Sequence, residues 1–271
     1  MSESPTFTTS DRVRLAYAVD DFTDPWKPKE TVILLHAAMS SSRRFYAWVP
    51  LLARHLRVVR LDMRGHDGSE APGADKPVTI ERLGRDVLEL VDHLQLGRVH
   101  LSGSSAGGYV AQWLAIHHPA RVGKLALFSS TPGLSWARPG VQVPTWPATV
   151  REKGVDGLLR DTVAARVDPA RVDAGFVLWM LDETKRMDRD FTARFLETMA
   201  ALDLAPDVHE IKAPTLIVVA GGDTVCKREG YEALRGIPAH EWVVYEGLPH
   251  NITNGVPDRC ALELRRFLVG S

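Results

Sequence analysis

The chain has 271 residues, of which 45% are hydrophobic and 25% are charged, as in ordinary globular proteins. This composition excludes disordered, collagen-like and coiled-coil chains. The 33 lysine and arginine residues nearly balance the 34 aspartate and glutamate residues, so the net charge of −1 gives no basic surface for nucleic acid or anionic membranes. The length lies between one typical domain and two.

The start of the sequence lacks the basic residues and apolar run of a signal peptide. No apolar stretch approaches the roughly 20 residues of a membrane span. The two cysteines, Cys226 and Cys260, are too few for a disulfide framework and fit reduced thiols. We therefore expect a soluble, cytoplasmic protein that binds neither nucleic acid nor membrane.

The predicted elements begin with a hairpin over residues 6–19, which adds antiparallel strands to one edge of a sheet. Six apolar runs typical of strands buried on both faces follow: Thr31–Leu35, Arg57–Leu61, Val99–Ser102, Lys124–Phe128, Thr215–Ala220 and Glu241–Tyr245. The helices predicted between and after these strands lie at about 43–55, 80–95, 106–118, 227–236 and 257–269. This alternation predicts an α/β fold with a mostly parallel central sheet and helices on both faces.

Residues 132–206 interrupt the alternation, because they contain no convincing strand. Helices are predicted there near 149–166, 170–182 and 189–203. The stretch is rich in large apolar side chains, and the candidates to line a ligand pocket are Trp136, Trp146, Trp179 and Met180. It also carries arginines, among them Arg138, Arg151, Arg160, Arg166, Arg186, Arg189 and Arg194. One or two of these could bind a substrate carboxylate. We predict a helical cap at 132–206, inserted between two parts of one core domain, 1–131 and 207–271.

The sharpest motif is a Gly-x-Ser-x-Gly sequence with Ser105 at its centre. It directly follows a predicted strand and precedes a predicted helix, which is the context of a nucleophile elbow. Gly103 and Gly107 remove side chains that would collide across so tight a turn. The amide of Ala106, at the start of the helix, is available to a developing oxyanion. The motif therefore predicts Ser105 as a nucleophile.

A serine nucleophile needs a base, and a base needs an orienting acid. His250 is favoured among the ten histidines because it lies in a loop just after the last predicted strand. Asp223 follows the penultimate strand in the same way. The order Ser105, Asp223, His250 is the nucleophile–acid–histidine order expected for this fold. His36 and His66 follow earlier strands and are predicted to be structural residues near the site.

These motifs resemble the α/β-hydrolase superfamily over essentially the whole chain. The matching residues are His36, Asp62-Met63-Arg64-Gly65-His66, the elbow at Ser105, Asp223 and His250. The chain is similar to the branch that holds 3-oxoadipate enol-lactonases, meta-cleavage-product hydrolases and related small-molecule esterases or amidohydrolases. The resemblance implies a helical cap, neither a metal nor an organic cofactor, and an oxyanion hole built from the amides of Ala106 and Ala38. We also expect His36 and Ala37 beside the substrate pocket.

The sequence departs from the family pattern after two strands. Ala37 replaces the usual glycine after His36, and because alanine avoids positive φ the loop that carries the Ala38 amide must be adjusted. Asp67 replaces the second glycine of the usual Arg-Gly-x-Gly, and aspartate tolerates the left-handed conformation. Some relatives carry the acid after an earlier strand, where this chain has Ser129-Ser130, so Asp223 is the best candidate.

Haloalkane dehalogenases and epoxide hydrolases also resemble this chain, but they use aspartate at the elbow, so Ser105 argues against both. The sequence predicts a serine hydrolase for a small, largely apolar or aromatic ester, lactone or related carbonyl compound, with or without a carboxylate. We expect a monomer or a homodimer. A C–C bond hydrolase of ring-cleavage products, a cofactor-free oxygenase or lyase, and a slow-turnover ligand receptor remain alternatives.

Overall fold

The centre of the protein is an eight-stranded sheet, seen in a computed structural model that describes residues 4–134 and 145–270. The strands are β1 Thr6–Thr8, β2 Arg14–Asp20, β3 Thr31–Leu35, β4 Arg57–Leu61, β5 Val99–Ser104, β6 Val122–Phe128, β7 Thr215–Ala220 and β8 His240–Tyr245. Their order across the sheet is β1-β2-β4-β3-β5-β6-β7-β8. Strands β3 to β8 are parallel, whereas β1 and β2 form the predicted antiparallel hairpin at one edge.

Helices cover both faces of this sheet, as the alternation predicts. The α-helices of the described ranges are α1 Val49–Leu52, α2 Ile80–His93, α3 Ala106–His117, α4 Trp146–Lys153, α5 Val155–Arg166, α6 Ala174–Thr184, α7 Arg189–Ala201, α8 Arg228–Ala233, α9 Ile252–Gly255 and α10 Pro257–Val269. Ile33 and Leu35 of β3 join the core cluster that contains α2 and α3. Val32 and Leu34 join the opposite cluster, with α1 and α10. Strand β3 is therefore apolar on both faces because both faces are buried.

Two predicted helices are divided in the structure. The helix predicted at 43–55 is wrong, because the chain forms a 3₁₀ turn at Ser42–Phe45 and then the short α1. Pro50 lacks an amide proton and lies in the first turn of α1, where that donor is not needed. The prediction of one helix at 149–166 is also wrong, because the structure has two helices there, α4 and α5. Gly154 has a φ of 84°, so it ends α4 before α5 begins.

Helices α4 to α7, which we call the helical segment, lie between β6 and β7 in the chain. No strand occurs in the described residues of 132–206. The segment contacts three loops that follow strands. The Arg44 guanidinium forms a buried ion pair with Glu183 of α6 at 2.6 Å, and Thr198 of α7 donates to a carbonyl in the loop before α2. The Asn251 amide donates to the Arg166 carbonyl at 2.7 Å. The segment thus packs over the carboxyl ends of the parallel strands, the usual ligand edge of α/β sheets.

Within residues 4–134 and 145–270, no helix combines the length and the apolar character needed to span a bilayer.

Candidate active site

Ser105 lies in a strained turn between β5 and α3. Its φ and ψ are 49° and −116°, a backbone conformation that non-glycine residues rarely adopt. The Ser105 amide donates to the Phe128 carbonyl at 3.0 Å, and the Ser130 hydroxyl donates to the Ser105 carbonyl at 2.9 Å. These bonds to the neighbouring strand β6 and the residues after it hold the turn in place. Such strain typically costs about 1–3 kcal/mol and persists where the surrounding structure enforces it.

The glycines on either side of Ser105 are required by close backbone contacts. A Cβ atom on Gly103 would lie 2.4 Å from the Gly108 Cα atom. A Cβ atom on Gly107 would lie 2.2 Å from the Leu35 carbonyl oxygen of β3. Neither backbone neighbour can move without disturbing the sheet or α3. The predicted collision across the turn is therefore confirmed at Gly103, whereas Gly107 is required by the neighbouring strand β3.

The three residues of the predicted triad form one hydrogen-bonded chain. The Ser105 hydroxyl lies 3.0 Å from His250 Nε2, and His250 Nδ1 lies 2.8 Å from Asp223 Oδ2. His250 and Asp223 are buried. An ionised Asp223 requires the proton at Nδ1, which leaves Nε2 as the acceptor for the Ser105 hydroxyl. This arrangement is suited to removing a proton from the serine.

Asp223 is held by four donors at the start of the loop after β7. The amides of Val225 and Cys226 donate to Oδ1, and the Tyr231 hydroxyl and His250 Nδ1 donate to Oδ2. Burial alone would raise the pKa of the Asp223 carboxyl. The electrostatic interaction and hydrogen bond with His250, followed by the bonds from Tyr231 and Cys226, outweigh burial and lower this pKa below its ordinary value. Asp223 therefore stays ionised.

The described residues also contain one trio of possible metal ligands, formed by Asp223, Cys226 and His250. Their ligand atoms lie within 4.8 Å of one another. Asp223 and His250 already bond to each other, and the remaining His250 nitrogen faces Ser105. The donor set therefore fits proton transfer along the chain better than it fits a metal ion.

Tyr231 is a site residue that sequence reasoning missed. It lies on α8, is 1% exposed, and shares Asp223 Oδ2 with His250. Burial, followed by the Asp223 charge, raises the pKa of the Tyr231 phenol well above its ordinary value, so the phenol remains a donor. A tyrosine eight residues after a predicted acid has no distinctive spacing, and the sequence carries no signal for this contact.

We expect Tyr231→Phe to lower kcat for an aryl ester about tenfold and to destabilise the protein by about 1.5–3 kcal/mol at neutral pH, because a hydrogen bond to a charged group is lost. The lowered pKa of Asp223 stabilises the fold while the carboxylate is ionised, and this contribution disappears as the pH falls through the folded-state pKa. The difference in Tm between the wild type and the variant should therefore shrink below about pH 4. Thermal denaturation from pH 8 to pH 3 measures this.

The control for this variant is Tyr245→Phe, which removes a longer bond to the Arg259 carbonyl on the other side of the sheet. We expect it to leave kcat within twofold of the wild type. A Tm loss in Tyr231→Phe that is the same at every pH would show that the hydroxyl only fills space.

Two amides beside Ser105 are placed to serve as an oxyanion hole. Ala106 opens α3, so its amide has no preceding helical turn to bond. In the loop after β3, the Met39 amide is taken by His66 Nε2 at 3.3 Å, whereas the Ala38 amide has no acceptor within the described chain. The loop takes its positive φ at Met39 (55°) and not at Ala37, which accommodates the missing glycine. Ala38 and Ala106 line the cavity next to Ser105, and the role of their amides as an oxyanion hole stays a prediction.

His36 and His66, which the sequence predicts to be structural residues near the site, bond to backbone atoms of the neighbouring loops. His36 Nδ1 donates to the Ala37 carbonyl and Nε2 accepts from the Met63 amide, so both ring nitrogens are occupied. Burial lowers the pKa of His36 well below its ordinary value and that of His66 to about 4, so both rings are neutral. Asp67 has a φ of 40°, as expected for the residue that replaces a glycine.

The cavity at Ser105 contains only part of the pocket predicted from sequence. Ala37 and Trp146 line it, whereas His36, Trp179 and Met180 are not among its lining residues. The Trp179 ring packs on Tyr46 and the Arg43 and Arg44 guanidinium groups, and Met180 is buried. Trp136 lies outside the described residues. Met199, one of the large apolar residues of 132–206, also lines the cavity. The apolar lining residues that the sequence missed are Met39, Tyr109, Leu134, Leu196 and Val225. Leu196 and Met199 are three residues apart on α7, a spacing that places both side chains on one face of a helix and could have indicated that they line one surface.

Comparison with known proteins identifies the family. The family model described as alpha/beta hydrolase fold matches residues 30–253. A 3-oxoadipate enol-lactonase from Acinetobacter baylyi is 29% identical over 178 residues, which are 62% of this chain and 62% of that enzyme. The match therefore spans less than two thirds of that relative's length.

Two further proteins match over more of their length. A 2-hydroxy-6-oxononadienedioate/2-hydroxy-6-oxononatrienedioate hydrolase from Pseudomonas putida is 30% identical over 248 residues, 84% of each chain. The crystal structure of the enol-lactonase from Burkholderia xenovorans LB400 superposes with a TM-score of 0.88 at 25% identity, covering 97% of this chain and 99% of that one. With the eight-stranded sheet and the elbow at Ser105, these matches show that the chain belongs to the α/β-hydrolase family.

Proposed function

We propose that this protein is a serine hydrolase that transfers an acyl group from a small carbonyl substrate to water, with Ser105, His250 and Asp223 as its catalytic triad. The observation that carries the proposal is the continuous hydrogen-bonded chain from the Ser105 hydroxyl through His250 to an ionised Asp223 at the wall of an apolar cavity. A serine in an unrelated role would need neither the base nor the strained backbone.

In the proposed mechanism, His250 Nε2 takes the Ser105 proton as the serine oxygen attacks the substrate carbonyl. Asp223 stabilises the imidazolium that forms and keeps the ring in position. The amides of Ala106 and Ala38 hold the oxyanion, and each such donor typically contributes about 3–4 kcal/mol to the transition state. His250 then protonates the leaving group, and it later activates the water that releases the acyl group.

We propose that the helical segment is part of a cap, 132–206, over a core formed by 1–131 and 207–271. Its contacts with three loops at the carboxyl end of the sheet support this division. Trp146, Leu196 and Met199 supply apolar lining to the cavity that contains Ser105, which favours a largely apolar or aromatic substrate. Esters and lactones fit this pocket and this mechanism.

A second candidate is hydrolysis of a C–C bond in a ring-cleavage product. The Pseudomonas putida relative, which matches 84% of this chain, is named for a hydrolase of 2-hydroxy-6-oxononadienedioate. The same serine, base and oxyanion hole would serve that reaction. The choice between the two depends on the substrate and not on the triad.

The experiment is active-site labelling of the wild-type protein with a fluorophosphonate, combined with rapid-mixing kinetics on p-nitrophenyl acetate. We expect stoichiometric phosphonylation that maps to Ser105 by peptide mass spectrometry, together with a burst of nitrophenol. Absence of both labelling and turnover would overturn the hydrolase proposal, and a label on another serine would overturn the assignment of the nucleophile.

A further inference from the structure

Tyr109 lies one helical turn after the proposed nucleophile and lines the same cavity as Ser105 and His250. Its amide donates to the Ser105 carbonyl at 3.3 Å, in the first turn of α3. The residue is 1% exposed, so its phenol is removed from bulk water. The helix that begins at the elbow therefore fixes the position of this side chain relative to the reacting serine.

The Tyr109 hydroxyl is buried and has no hydrogen-bond partner within the described residues. The Thr131 and Ser105 hydroxyls are polar neighbours, but neither meets the geometry of a hydrogen bond to it. The Thr131 hydroxyl donates instead to the Gly133 carbonyl at 2.7 Å. The Ser105 hydroxyl lies 3.0 Å from His250 Nε2. Such an unpaired hydroxyl is costly, because it has lost its bonds to water and gained none in the protein.

The remaining tyrosines of the chain have no such deficit. The sequence contains five tyrosines, and the described ranges include all of them. Three of the other four are buried and each bonds to a protein group: Tyr17 to His93, Tyr231 to Asp223 and Tyr245 to the Arg259 carbonyl. Tyr46 is 57% exposed, so water can bond to its hydroxyl. The phenol that lines the cavity is therefore the one that the fold leaves unsatisfied.

The Tyr109 phenol is a neutral donor at the pH of the reaction. Burial, followed by the electrostatic effect of Cys226, raises its pKa well above its ordinary value, so the proton is retained. The cavity around it has apolar lining from Leu134, Leu196 and Met199. In ligand cavities, a few placed polar groups among apolar walls fix the orientation of the ligand. A neutral phenol of this kind suits an uncharged acceptor, such as an ether or keto oxygen.

We propose that Tyr109 determines specificity by donating a hydrogen bond to an uncharged oxygen in the acyl part of the substrate. The inference rests on the proposed function, which places the reacting carbonyl at Ser105. The acyl part stays bonded to Ser105 after the leaving group departs, and α3 holds Tyr109 at a fixed distance from that serine. The favoured substrates are esters or lactones with an ether or keto oxygen close to the reacting carbonyl.

This role explains why the unpaired hydroxyl is retained. A site built to bond a substrate oxygen rejects the analogue that lacks this oxygen, because the protein group is then left buried and unpaired. A phenylalanine at the same position would fill the space equally well but would not discriminate between an oxygen and a methylene group.

The experiment compares benzyl methoxyacetate with benzyl butanoate, which have the same length and differ by one ether oxygen in place of a methylene group. Chromatography of the benzyl alcohol released gives kcat/KM for each ester, in the wild type and in Tyr109→Phe. The methoxy group also activates the carbonyl, so the quantity compared is the ratio of the two kcat/KM values, from which this effect cancels between the two proteins. We expect Tyr109→Phe to lower the ratio of methoxyacetate to butanoate about tenfold, because one hydrogen bond is lost.

The matched control is Tyr231→Phe, which removes a phenol hydroxyl that bonds to Asp223. It should lower both kcat/KM values in the same proportion and leave their ratio within twofold of the wild type. A ratio that Tyr109→Phe also leaves within twofold of the wild type would overturn the proposal, whatever happens to the two rates.

Thermal denaturation of Tyr109→Phe tests whether the hydroxyl has a structural role. Phenylalanine keeps the ring and removes an unpaired buried group, so the Tm should equal or exceed that of the wild type. A Tm lowered by more than about 5 °C would mean that the hydroxyl has a partner inside the protein, and would also overturn the proposal.

Calorimetric binding of the two intact esters in the Ser105→Ala background separates this proposal from the proposed function. We expect Tyr109→Phe to lower the affinity for the methoxyacetate relative to the butanoate in that background as well. This result, in a protein whose wild type resists fluorophosphonate labelling and hydrolyses neither ester, would overturn the hydrolase proposal alone. Labelling at Ser105 with unchanged ratios of kcat/KM and affinity would overturn the role of Tyr109 alone.

Discussion

Ser105→Ala should lower kcat for p-nitrophenyl acetate by about 10⁶-fold, the scale observed when a catalytic serine is removed from a triad. The hydroxyl is the nucleophile in the proposed mechanism, and no other hydroxyl is bonded to His250 within the described residues. Because the substitution removes a small, half-buried hydroxyl that bonds to His250, the Tm should change by no more than about 2 °C. Steady-state kinetics and a thermal melt of the same preparation measure both quantities.

His250→Ala should be nearly as damaging, and the double variant should be little worse than either single one, because the two residues act as a unit. Turnover that survives Ser105→Ala but is lost in His250→Ala would instead indicate a base-only reaction, as in a cofactor-free oxygenase or lyase. Ligand binding without turnover in the wild type would indicate a receptor. Either result would contradict acyl transfer to Ser105.

Asp223→Asn should lower kcat by about 10⁴-fold, because the amide favours the wrong histidine tautomer. The Asp223 carboxylate accepts from four donors, two at each oxygen. An asparagine has one oxygen, so its NH₂ group must face either two backbone amides or Tyr231 and His250. If the NH₂ group faces His250, it donates to Nδ1 and the ring proton moves to Nε2. Nε2 could then no longer accept a hydrogen bond from Ser105.

The same substitution should also destabilise the fold, since at least one buried donor loses its acceptor at a cost of about 1–3 kcal/mol. The matched control is Asp67→Asn, an exposed turn residue with a φ of 40° that asparagine also tolerates. It should leave kcat and Tm unchanged. A loss of less than tenfold in kcat for Asp223→Asn, in a folded protein, would show that Asp223 does not orient the base.

The sheet and the positions of the three proposed catalytic residues could be predicted because they depend on local patterns. Alternate residues of β3 pack into opposite core clusters, so a run apolar throughout indicates a strand covered on both faces. Carboxyl ends of parallel strands meet at one edge, so Ser105, Asp223 and His250 could be brought together from their places after β5, β7 and β8. The glycines of the elbow follow from the sterics of a turn.

The pocket could not be predicted because its residues depend on packing between distant segments. Trp179 and Met180 are large apolar residues of the kind that line ligand pockets. No sequence pattern predicts which face of α6 packs toward the core. Among many arginines, the sequence cannot tell which are paired internally, since the partner of Arg44 lies 139 residues away. The Tyr231 hydroxyl donates to Asp223 from eight residues further along the chain, a spacing that predicts no contact.

The backbone bond from Asn251 to Arg166 has a consequence for engineering this enzyme. The residue that follows the proposed base bonds to the end of α5, so a helix of the segment above the cavity also helps to position the base. Grafting the helices of a relative onto this core to change its selectivity would therefore change turnover as well. A graft that exchanges only α6 and α7 leaves that bond in place, so it can change selectivity without changing turnover.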